Sequence, residues 1–62
     1  MNLAHNRMEQ CQSYCQASVN SYNTTLEHID KGSHDPGFRQ FVQSERSKVE
    51  VLQQQIEAYL KR

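Results

Sequence analysis

The stretch Lys31-Gly32-Ser33-His34-Asp35-Pro36-Gly37 decides the fold, because it holds every Pro and Gly of a 62-residue chain. On either side runs a long segment with neither. A Gly just past a periodic run reads as a helix C-cap, since Gly enters the left-handed region without steric cost. Asp followed by Pro reads as a helix start. The Asp carboxylate accepts from free N–H groups of the first turn, and Pro suits the first helical position, where an N–H is not needed. The expectation is an all-α antiparallel two-helix hairpin, coiled-coil-like, with helices over about 3–31 and 36–61 and a turn at 32–35.

Working outward, the first segment places Ala4, Met8, Cys11, Cys15, Val19, Tyr22, Leu26 and Ile29 at steps of three and four, which puts them on one helical face. In heptad terms Met8, Cys15, Tyr22 and Ile29 fall at a, and Ala4, Cys11, Ser18 and Thr25 at d. Val19 and Leu26 widen the stripe at e. From Gln10 to Leu26 there is no charge, only small or amide residues with scattered apolar ones. Ser, Asn, Thr, Val and Tyr are mediocre helix formers, so this helix needs contacts from outside itself. The second segment has Val42, Val49 and Ile56 at a, and Phe38, Glu45, Leu52 and Tyr59 at d. Phe41 and Leu60 flank that seam. Glu45 interrupts the apolar row, and Ser18, Tyr22 or Thr25 across the hairpin are its expected partners.

Size then constrains function. A chain this short is one domain and buries only about 60% of its unfolded surface. Two cysteines cannot make a disulfide framework. A hairpin also cannot cover both its stripes alone, so completion to a helical bundle, by self-association or by a partner, is expected. The partner-binding candidates are Met8, Tyr22, Phe38, Phe41, Val42, Val49, Leu52, Ile56 and Tyr59. Part of this set would close the hairpin, and the rest would bind another helical protein or a second copy.

Other classes fare worse. Seven Lys and Arg balance seven Asp and Glu, leaving no basic field for nucleic acid. No apolar run approaches the roughly 20 residues of a membrane span, and the N-terminal residues lack a signal-peptide core, so a cytoplasmic location is expected. Cys11 and Cys15, one turn apart, are weak metal candidates. Structural zinc uses four ligands and tighter spacings, so both are expected to pack as small hydrophobes on the seam. His34 beside Asp35 could form an acid/base pair, but a hairpin tip offers no concave site. Ser44, Glu45 and Ser47 have no His base nearby. Asn23-Thr24-Thr25 fits a glycosylation triplet in mid-helix. The expectation is no enzyme and no cofactor.

The run Gly32-Ser33-His34-Asp35-Pro36, with Phe38, Phe41, Gln43, Val49-Glu50 and Ile56, resembles the turn and second helix of the small hairpin co-chaperones of type III secretion needle subunits. The resemblance covers about half the chain and leaves out the polar first helix. It implies a non-catalytic chaperone or adaptor that pairs with a helical partner. In length and layout alone the chain also resembles the small RNA-binding hairpin dimers that regulate plasmid copy number, which implies the alternative of a homodimeric four-helix bundle.

Overall fold

The computed structural model describes residues 2–32 and 35–62. It consists of two helices, α1 (Leu3–Lys31) and α2 (Pro36–Leu60), packed side by side as a hairpin. Both starts are capped. The Asn2 side chain accepts from the His5 N–H at 3.2 Å, and the Asp35 carboxylate accepts from the Phe38 N–H at 3.1 Å. Pro36 occupies the first turn of α2 as the sequence suggests.

The end of α1 differs from expectation. Gly32 is the C-cap, but its φ of −111° is not left-handed, and no described residue has a positive φ. The helix closes with an ordinary bond from the Gly32 N–H to the His28 carbonyl at 2.9 Å. Glycine matters there for room, since a Cβ would sit 3.2 Å from that carbonyl oxygen. Ser33 and His34, and with them the expected turn centre and the His34–Asp35 pair, lie outside the described residues.

The core is thin. Leu26, Ile29 and Val42 form its buried cluster, with Tyr22 packed against it, and Cys15 and Ile56 are buried further along. Burying one such side chain is worth roughly 1.5–3 kcal/mol, so these few fall well short of the chain entropy lost in ordering two helices of this length. Among the described residues Val42 is the most enclosed at 4% exposure, and none has a fully buried side chain.

The rotation of the helices corrects the expected a/d seam. In α1 the seam runs through Gln12, Cys15, Val19, Tyr22, Leu26 and Ile29, all buried or half-buried, with Ser18 and Thr25 half-buried at its edge. In α2 it runs through Arg39, Val42, Arg46, Val49, Gln53, Ile56 and Leu60, with Gln43, Glu45, Glu50 and Glu57 half-buried beside it. Both rows step by three and four, but they occupy a and e rather than a and d. The reason lies in α1, where Val19 and Leu26 at e are larger and more apolar than Ser18 and Thr25 at d. Cys11 is consequently exposed and only Cys15 is buried, against the expectation that both cysteines pack. Glu45 pairs with Lys48 at 2.9 Å instead of reaching across, and the Thr25 hydroxyl donates to the Ser21 carbonyl.

Candidate functional site

The seam has two flanks, and they are built differently. On one, polar side chains meet across the hairpin at heptad intervals. Gln53 Nε2 donates to Gln16 Oε1 at 2.8 Å, and Arg46 Nη1 donates to Asn23 Oδ1 at 2.8 Å. Arg39 Nε and Nη2 donate to the two Asp30 carboxylate oxygens at 2.7 and 3.4 Å. The hydrogen bond to Asp30, then its charge, raise the Arg39 pKa above its ordinary value. Arg46 also lies 3.2 Å from Glu50. The aliphatic stems of the two arginines cover the seam while their heads form the ladder.

The opposite flank has no such ladder. In an antiparallel pair whose seams are a/e on both helices, the two d rows fall on the same side. That side carries Cys11, Ser18 and Thr25 from α1, and Phe38, Glu45, Leu52 and Tyr59 from α2, with Phe41 and Lys48 at its outer edge. The α1 side chains are too short to cover their α2 neighbours. Phe38 and Leu52 remain 48% exposed, Phe41 60% and Tyr59 67%. Met8, 40% exposed, borders the same flank near the free end of the hairpin. Arg62 lies over the Tyr59 ring, 4.6 Å from its centre, a cation–π contact.

The partner-binding candidates therefore divide. Val42 and Ile56 are buried inside the hairpin, and Tyr22 and Val49 are half-buried in its seam. Met8, Phe38, Phe41, Leu52 and Tyr59 are exposed and gather toward the open flank. Val51, also exposed, points away from α1, off that flank. The arginines at e, which the apolar pattern passed over, turn out to hold the closed flank. Their signal is a set of polar residues spaced by seven in each helix: Gln16, Asn23 and Asp30 against Gln53, Arg46 and Arg39.

Chemical groups are sparse elsewhere. Among the described residues no three His, Cys, Asp or Glu side chains gather as a metal site. A shallow cleft of about 210 Å³ near the turn is lined by Ile29, Asp30, Asp35, Pro36 and Arg39. Its Asp30 and Arg39 are already paired with each other. No helix among the described residues is long and apolar enough to cross a membrane. No family model matches the chain, and no curated protein or solved structure matches it either.

Proposed function

We propose that the chain is a small non-catalytic protein–protein interaction module, of chaperone, adaptor or inhibitor type, working in the cytoplasm. It closes one flank of its seam internally and covers the other with a helical partner. The observation that carries this reading is the exposure of Phe38, Phe41, Leu52 and Tyr59 along one flank. Aromatic side chains of this kind are the anchors of protein interfaces, and an exposed apolar row on so small a chain asks for a cover. A co-chaperone of needle-subunit type is one form of this reading.

The charges favour protein over RNA as the partner. Lys31, Arg39, Arg46, Lys48 and Lys61 each pair with a carboxylate of the same chain. Phosphate binding needs clustered cations that are free to displace counterions.

Site-specific photo-crosslinking in cells expressing the full chain tests the proposal. A photoreactive phenylalanine analogue at position 41 should give a discrete adduct with a protein, and the same analogue at position 51 should not. Equal labelling from both positions, or none from position 41, would count against an interface on the open flank.

A further inference from the structure

The open flank is self-complementary along α2. Phe41, Glu45, Lys48 and Leu52 follow one another at steps of four, three and four, so they share one helical stripe. Phe41 and Leu52 lie equally far on either side of the Arg46–Ser47 peptide bond, and so do Glu45 and Lys48. Read backwards, the stripe is again apolar, charged, charged, apolar, with the charges inverted. An antiparallel copy of α2, related by a two-fold axis near that bond, would place Phe41 against Leu52 and Glu45 against Lys48, twice over. The Glu45–Lys48 pair within each chain, at 2.9 Å, would become a ring of four alternating charges around the axis. Ser18 and Thr25 of α1, being short, leave space beside this contact.

Areas agree with this arrangement. The chain exposes 4887 Å², whereas a compact monomer of 7.3 kDa would expose about 4200 Å². Its Cα extents of 48 by 14 by 12 Å give a broad face on the order of 700 Å², close to the roughly 800 Å² per partner of a standard interface. A two-fold contact between identical patches is also the commonest closed form of assembly.

We infer that the partner on the open flank is a second copy of this chain, docked antiparallel through the Phe41, Glu45, Lys48 and Leu52 stripe of α2 to make a four-helix bundle. The inference rests on the interaction reading above and names its occupant.

Sedimentation equilibrium of the full chain under reducing conditions, with helicity recorded on each sample, tests it. The expected mass is twice the chain's 7.3 kDa. Glu45→Lys and Lys48→Glu should each weaken dimerisation by about tenfold or more, because like charges then meet across the axis. The double variant E45K/K48E restores the inverted palindrome and should return to within about threefold of the original. Phe41→Gln, an exposed change that leaves the charges alone, should weaken the dimer without lowering helicity. A chain that stays monomeric at about 100 μM, or a double variant no tighter than the singles, overturns the inference. A monomeric chain that still forms a position-41 adduct with a different protein overturns the second-copy assignment alone. A monomeric chain with no adduct removes the interaction reading as well.

Discussion

The two flanks of the hairpin share one seam and one heptad spacing, yet one is closed and the other open. On the closed flank both helices supply hydrogen-bonding side chains, and Gln16, Asn23 and Asp30 of α1 accept from the longer Gln53, Arg46 and Arg39 of α2. On the open flank α1 supplies Cys11, Ser18 and Thr25, which cannot reach over the aromatic and aliphatic side chains of α2. The contrast separates two tasks that a single apolar stripe would merge. Burial between the helices, with Val19 and Leu26 at e, supplies most of the stability and sets the rotation about each helix axis, while the ladder fastens one edge of the seam and leaves the apolar residues of the other outside. Exposed hydrogen bonds and ion pairs of this kind are worth little individually, so their main contribution is specificity.

Substitutions can break this contrast, beginning with the seam both flanks depend on. Leu26→Ala removes a member of the buried cluster and should cost about 2 kcal/mol, the lower end for a buried Leu because the thin core can relax. For a chain of marginal stability that is enough to abolish most of the far-UV helical signal at 25 °C. Next comes Asp35→Ala, which leaves the first N–H groups of α2 uncapped and should cost about 1 kcal/mol in urea unfolding. On the closed flank, a double-mutant cycle on Asn23 and Arg46 should return a coupling of about 0.5–1 kcal/mol, since the hydrogen bond is charge-assisted but borders solvent. The smallest effect is expected on the open flank. Ser18→Ala should change hairpin stability by less than about 0.5 kcal/mol at concentrations too low for association. A Ser18→Ala loss as large as the Asn23–Arg46 coupling would show that the flanks are not distinct.

Much of this architecture is legible in the sequence. Asp35-Pro36 announces the start of α2, and the absence of Pro and Gly on either side sets both helix lengths. The site is only half legible. Phe38, Phe41, Leu52 and Tyr59 stand out as candidate anchors, but the choice between internal and external use depends on a small rotation of each helix. A stripe that spans a, d and e fits an a/d seam as readily as an a/e seam. The choice was made by Val19 and Leu26 in α1 and by the arginines of α2, whose aliphatic stems an apolar pattern does not count. Cys11 lies outside the core for the same reason, because Cys at d looks like core until the seam moves to e.

The ladder also acts as a ruler. Each of its rungs joins residues a fixed number of positions from the turn, so the hairpin tolerates changes of side chain far better than changes of length. One residue inserted into α2 between Arg46 and Gln53 would turn everything beyond it by about 100°, carrying Leu52 and Tyr59 off the open flank and Gln53 away from Gln16. Seven residues added to each helix at matching depth would keep every rung in phase. Related chains should therefore change their length between the turn and the last rung only by whole heptads, in both helices at once.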